Sequence, residues 1–259
     1  MNGPDIATGL IAARMGSSRF AGKTLADVQG KPMLGRIVER MRASSYIGDI
    51  VVATTELEID DELQAWCDEA GIQCFRGSSD DVLGRLRSAA EAFDAETILE
   101  VLGDNPLIHS DLIDAALEQF WQKKNDYVAT VTHEYPNADP TLNRFPIGIR
   151  PQVFSIDTLR RCEDLARDPD NREHATSFIA QHPELFDIGY IEASGQFADL
   201  HRPDLTFAVN HPENLDLIRV IFDKCYFIDA NFSVSDACKA YDERPDIHSL
   251  MGDQVGGSV

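Results

Sequence analysis

IGDIVVATT, residues 47–55, is the pattern of one particular kind of β-strand. Ile50, Val51, Val52 and Ala53 are apolar without a break, so both faces of the strand must be covered, as in a parallel strand inside a sheet flanked by helices. The helical pattern that follows, near 57–70, is stopped by Gly71, a residue suited to the left-handed turn at a helix end. The same alternation extends in both directions. Apolar runs near 9–13, 72–75, 97–102 and 127–131 predict further buried strands, and helical patterns near 33–43, 80–93 and 110–123 fall between them. Repeated βαβ units predict an α/β fold with a mixed, mainly parallel sheet and helices on both faces.

Beyond about residue 132 the rhythm loosens. HEYPNADPTLNRFP, residues 133–146, reads as a long loop of the kind that shapes binding sites. A strand at 149–154, helices near 155–166 and 173–181, strands near 187–191 and 205–209, and helices near 213–224 and 233–242 are expected after it. Residues 1–250 are expected to form a single domain, and 251–259 a frayed, disordered tail.

The 259 residues suffice to bury roughly three quarters of the unfolded surface. Hydrophobic residues at 43% and charged ones at 26% exclude a disordered, collagen-like or coiled-coil chain. Five widely spaced cysteines without a CxxC or CxxH pair suggest neither a disulfide framework nor a zinc site, and fit a reducing cytoplasm. No apolar run approaches the ~18 residues of a membrane span, and no export leader is recognisable. Net charge is −21, with 44 acids against 23 bases, which repels nucleic acid and anionic membranes. Only six bases are Lys and 28 acids are Asp, a bias that fits a salty environment or a lineage habit equally well.

Against that acidic background, LIAARMGSSRFAGKTL (10–25) stands out. From Ile6 to Val38 there are five bases, Arg14, Arg19, Lys23, Lys31 and Arg36, against one acid, Asp27. An apolar strand enters a loop holding Gly16, Ser17, Ser18, Arg19, Gly22 and Lys23, so backbone N–H groups can face a phosphate while the bases neutralise it. A small polyanionic ligand is expected. The plainer alternative is a glycine turn with solvated bases. The loop ends GKT as a P-loop does, and ILEVLGD could supply its Walker B strand. However, five residues rather than four separate Gly16 from Gly22, which would misplace the amides and the lysine.

Three weaker signals follow. In TILEVLGDNPLI, Asp104 ends a buried strand behind Gly103, where open α/β sheets place ligand and metal chemistry; a magnesium ion shared with a triphosphate suits one such carboxylate, and a plain turn aspartate is the alternative. NREHATSFI puts Arg172, Glu173 and His174 at an expected helix start, with Asn171 as its cap. LTFAVNHPENLDLI reads as a strand ending at Asn210, then a helix with Pro212 in its first turn.

Together these segments, with GKPML, IVVATT and FRGSSDDVLGR, resemble the cytidylyltransferases that activate acidic sugars, particularly the spore coat polysaccharide biosynthesis protein F family and more distantly CMP-KDO and CMP-sialate synthetases. The resemblance covers about residues 8–245. It implies a Rossmann-like, GT-A-like nucleotidyltransferase fold and transfer of CMP from CTP to a sugar or sugar acid, with release of pyrophosphate. It implies that Arg14, Arg19 and Lys23 neutralise the phosphates, and that Ala12, Ala13, Gly16, Ser17 and Ser18 line the nucleotide. Ser78, Asp81 and Arg85 would lie near it, and Arg172, Glu173 and His174 at the sugar end. Asp104 and Asn210 would hold Mg2+. A cytoplasmic homodimer feeding a surface glycan is implied as well.

The sequence departs from that family in three places. NHPEN puts Asn210 where relatives carry a second metal-binding aspartate, which costs one negative charge and predicts weaker magnesium binding. FPIGIRPQVF has Arg150 and Gln152 where relatives tend to have acids, so the acceptor is expected to be unusual. Glu100 stands where many relatives have Arg, with packing or a dimer contact as its expected role. These departures leave open a nucleotide-binding protein on the same fold that has lost turnover.

Overall fold

The computed structural model describes residues 5–134 and 139–252. In chain order its elements are β1 (Ala7–Ala12), β2 (Asp27–Val28), β3 (Lys31–Pro32), α1 (Met33–Met41), β4 (Ile47–Thr55), α2 (Asp61–Ala70), β5 (Gln73–Gly77), α3 (Val82–Ala92), β6 (Thr97–Leu102), α4 (Ser110–Lys123), β7 (Tyr127–Thr130), β8 (Gln152–Ser155), α5 (Ile156–Leu165), α6 (Pro169–Glu173), α7 (Ser177–Gln181), β9 (Ile188–Ile191), α8 (Pro212–Cys225) and α9 (Val234–Asp242). Seven strands form one sheet in the order β5-β4-β1-β6-β8-β7-β9, and β2 with β3 form a small hairpin. β5, β4, β1 and β6 run parallel, β8 is antiparallel to both its neighbours, and β9 lies parallel to β7. This is the mixed, mainly parallel α/β sheet that the apolar runs predict.

The unbroken runs have the expected cause. Ile11, Val52, Leu99 and Val101 pack on one face against Leu34, Ile37, Leu63, Ile113 and Leu117 of α1, α2 and α4. Their sequence neighbours Leu10, Val51 and Ile98 face the other way, against Leu83 and Leu86 of α3, Leu159 of α5 and Phe178 of α7. Each such side chain contributes roughly 1.5–3 kcal/mol by leaving water. A third cluster joins α8 and α9 to Phe145, Ile149, Phe207 and Val209. Gly71, at φ 64°, ends α2 in the left-handed conformation anticipated for it.

The chain runs from β1 outward to β4 and β5, then crosses to β6 on the other side of β1. The carboxyl ends of β1 and β6 therefore flank the switch point of the sheet, where a ligand crevice forms. Gly103 allows their close approach: its amide donates to the Ala12 carbonyl at 3.1 Å, and a Cβ there would lie 2.9 Å from that oxygen and 3.0 Å from the Ala13 Cβ.

Three expectations are corrected. Residues 205–209 are no strand; only an isolated bridge links Thr206 to Ile147, and Leu205, Phe207 and Val209 alternate because they pack beside the C-terminal helices. The helix expected over 173–181 is two short ones, because the chain dips inward at Ala175 and Thr176, both buried. Arg172 and Glu173 accordingly end α6 rather than begin a helix, and Asp168, not Asn171, is its N-cap, accepting from the Asp170 amide at 2.9 Å. Met251 is held in place, since its carbonyl accepts from Asn214 at 3.0 Å; the rest of the expected tail from 253, like residues 135–138 of the expected loop, lies outside the described residues.

Candidate active site

The loop after β1 is built around Met15. Its carbonyl accepts from the Ser17 amide at 3.0 Å and from the Gly22 amide at 2.9 Å, closing residues 15–22 into a compact loop; Gly22 turns the chain at φ 76°. The buried Thr24 hydroxyl donates to the Arg14 carbonyl at 2.9 Å. Among the described residues, the amides of Gly16, Ser18 and Arg19 donate to no protein group, whereas that of Ser17 is turned back onto Met15. Free amides beside bases make an anion cradle. A single 3-10 turn, Lys23–Leu25, follows, then the β2–β3 hairpin. A P-loop instead delivers its lysine at a helix N-terminus, so the rival reading of GKT does not match this backbone.

Lys23 reaches across the switch point. Its Nζ lies 3.3 Å from Asp104 Oδ2 and donates to the Val209 carbonyl at 2.6 Å. The Val209 amide in turn donates to the Asp104 carbonyl at 2.9 Å, so Asn210 is held at the same end of the sheet. Arg19 Nη1 meets Asn210 Oδ1 at 3.4 Å. Arg19, Lys23, Asp104 and Asn210, distant in sequence, thus form one connected group. Asp104 and Asn210 offer hard oxygen donors, one anionic and one neutral; with phosphate oxygens and water they suit magnesium, which takes one or two carboxylates from protein.

A second group lies toward α3. Asp81 caps that helix, accepting from the Gly84 amide at 2.9 Å, and Ser78 Oγ accepts from the Asp81 amide at 3.1 Å. Arg85, 3% exposed, donates to the Ser78 carbonyl while its Nε has no hydrogen-bond partner. Burial lowers its pKa, and the positive charge of Arg14 lowers it further. Arg172 closes this group by pairing with Asp81 and, at 3.1 Å, with Glu163. Burial lowers the Arg172 pKa, but those ion pairs outweigh it and raise the value overall. Arg14 joins the two groups: its Nη2 lies 3.5 Å from Glu173 Oε1, with both side chains about half exposed. Ala12 ends β1 and Ala13 follows it into the loop, and His174 is exposed at the end of α6.

Two features escaped the sequence reading. Asp60, 1% exposed, accepts from the Met15 amide at 2.6 Å and from the Thr55 hydroxyl. In TTELEIDDEL it looks like any acid at a helix start, and only its position after a parallel strand hinted at more. The second feature is the joining of two of the three departures, Glu100 with Gln152 and Arg150, beside β8. Glu100, 2% exposed, accepts from Gln152 Nε2 at 3.1 Å; Gln152 Oε1 accepts from Tyr127 and Thr176 hydroxyls, both at 2.6 Å. Arg150 donates to Thr176 Oγ1 at 3.5 Å and lies 3.8 Å from Glu134. Burial pushes the Glu100 carboxyl up to about 7, against the opposing pull of Arg150. Glu100 is therefore an interior residue, and a dimer contact is not its role.

A cytidylyltransferase family profile matches residues 8–219. An uncharacterized protein, MJ1063, from Methanocaldococcus jannaschii is 33% identical over 71% of this chain and 71% of its own. Spore coat polysaccharide biosynthesis protein SpsF of Bacillus subtilis is 30% identical over 83% and 85%. The 3-deoxy-manno-octulosonate cytidylyltransferase of Trichlorobacter lovleyi is 38% identical over 43% of each chain. Among solved structures, a cytidylyltransferase from Leptospira borgpetersenii superposes with a TM-score of 0.83, covering 96% of this chain and 99% of that one at 24% identity, which shows the shared fold. With a profile spanning most of its length, the chain belongs to the cytidylyltransferase family.

Proposed function

We propose that this cytidylyltransferase transfers CMP from CTP to a sugar acid, releasing pyrophosphate, for a surface polysaccharide. The observation that carries the proposal is the convergence of Arg19 and Lys23 with Asp104 and Asn210 at the switch point of the sheet. Two relatives, one a spore coat polysaccharide biosynthesis protein and one a 3-deoxy-manno-octulosonate cytidylyltransferase, support the acceptor class.

In this reading the triphosphate lies along residues 14–23. The Gly16, Ser18 and Arg19 amides and the Lys23 ammonium take the β- and γ-phosphates, and Arg14 leaves Glu173 to join them. An acceptor hydroxyl attacks the α-phosphorus and gives up its proton to water, the bond to the bridging oxygen breaks, and negative charge moves onto pyrophosphate. Catalysis here is positioning plus neutralisation of that charge. Asp104 and Asn210 would hold Mg2+, which when bound supplies charge neutralisation at the phosphates. Ser78, Asp81 and Arg85 border the nucleoside side, and Glu173 and His174 face the acceptor, with Arg172 anchoring their segment to α3 and α5. A cytoplasmic homodimer belongs to the same proposal.

The test is pyrophosphate release from CTP with a panel of sugar acids, 3-deoxy-manno-octulosonate and sialate among them. Release with one acid and not with its neutral counterpart is expected. CTP binding without release for any acceptor would instead favour a binding protein that has lost turnover.

A further inference from the structure

We propose that Asp60 is the positioning residue that sets the phosphate loop against the sheet, an inference that rests on reading residues 14–23 as the triphosphate cradle. The ties inside the loop, Gly22 to Met15 and Thr24 to Arg14, fix its shape but not its orientation. Asp60 supplies orientation. It sits at the junction of the 3-10 turn Glu58–Asp60 with α2, and its two oxygens divide between the Met15 amide at 2.6 Å and the Thr55 hydroxyl at the end of β4.

The choice of residue type has a physical reason. Met15 is the pivot of the loop, because its carbonyl already accepts two amides, so its one remaining backbone group, the N–H, is the handle by which the loop can be held. A carboxylate grips that handle with a charge-assisted bond, roughly twice as strong as a neutral one, and has a second oxygen for the strand end. Burying a negative charge beside a phosphate site would weaken phosphate binding unless cations offset it. Arg85 does so: Asp60 acts electrostatically on this buried guanidinium. The loop amides are thereby aimed before the ligand arrives, and small misplacements of such groups are costly.

The experiment measures binding of CTP, CMP and inorganic tripolyphosphate, each with magnesium, by calorimetry for wild type, Asp60→Ala, Asp60→Asn and Thr55→Val. Asp60→Ala is expected to weaken CTP and tripolyphosphate by ~10-fold or more and CMP by less than ~3-fold, because CMP lacks the phosphates that the loop would hold. Asp60→Asn keeps one neutral acceptor for the Met15 amide and should weaken CTP and tripolyphosphate by less than Asp60→Ala does, with CMP again least affected. Equal weakening of CTP and CMP in Asp60→Ala, or no weakening, would overturn the role. Should Asp60→Ala not fold, Thr55→Val reads the same CTP-to-CMP ratio, and an unchanged ratio overturns it. Tripolyphosphate separates the two claims. Wild type that binds it but not CTP refutes the choice of CTP while still testing Asp60, and wild type that binds neither removes both.

Discussion

Lys23 Nζ and Asp104 Oδ2 stand 3.3 Å apart, joining the loop after β1 to the end of β6 across the switch point of the sheet. Their side chains are 13% and 25% exposed, so the pair is partly shielded from solvent. An ammonium so placed can serve an incoming phosphate without a long rearrangement. Lys23→Ala is expected to lower turnover by ~100-fold or more, the usual effect of deleting a group that neutralises charge in the transition state. A steady-state assay of pyrophosphate release checks this, and a near-normal rate would take Lys23 out of the machinery.

Asn210 meets Arg19 at 3.4 Å beside Asp104 and offers a neutral oxygen there. Asn210→Asp adds a charged hard donor and should lower the magnesium concentration giving half-maximal activity by several-fold. A titration of rate against magnesium decides. An unchanged midpoint would remove position 210 from the metal site.

Glu100 predicts a pH dependence of stability. Its folded pKa of about 7 lies above the ordinary 4.5, so the native state keeps a proton that the unfolded chain gives up. Stability should therefore fall as pH rises from about 4.5 to about 7 and level off above, by about 3 kcal/mol at 1.36 kcal/mol per pKa unit. Glu100→Gln carries no such proton. Urea unfolding at pH 5 and pH 8 should show a smaller loss for the variant than for wild type, and equal losses would mean that Glu100 does not titrate in this way.

Gly103→Ala tests how closely β1 and β6 must approach. The added Cβ would press on the Ala12 carbonyl at 2.9 Å, a backbone atom that cannot swing aside. A destabilisation of about 1–3 kcal/mol is expected, as for other overpacked interiors. It would appear as a Tm lowered by several degrees. An unaltered Tm would show that the two strands can part at the crevice without cost.

The parallel half of the fold was legible because β1, β4, β5 and β6 lie in the order of simple βαβ units, each announced by its own apolar run. The phosphate loop was legible for a related reason: Arg14, Arg19 and Lys23 sit within ten residues, and local clustering survives in one dimension. What stayed hidden depends on long-range pairing. Asp60 reaches Met15 over 45 residues, and Gln152 reaches Glu100 over 52. The alternation of Leu205, Phe207 and Val209 gave a strand-like pattern that packing against α8 and α9, not a ladder, produces. The resemblance implies a place for Arg172 at the sugar end, and its ion pairs with Asp81 and Glu163 make it a strut between α6, α3 and α5.

Binding of CTP, UTP, ATP and GTP by calorimetry, with and without magnesium and with Lys23→Ala as control, tests the central assignment most directly. CTP should bind more tightly than the other three, more tightly with magnesium than without, and at least ~10-fold less tightly to the variant. Preference for ATP or GTP, or CTP binding indifferent to Lys23, would contradict a cytidylyltransferase site built on this loop.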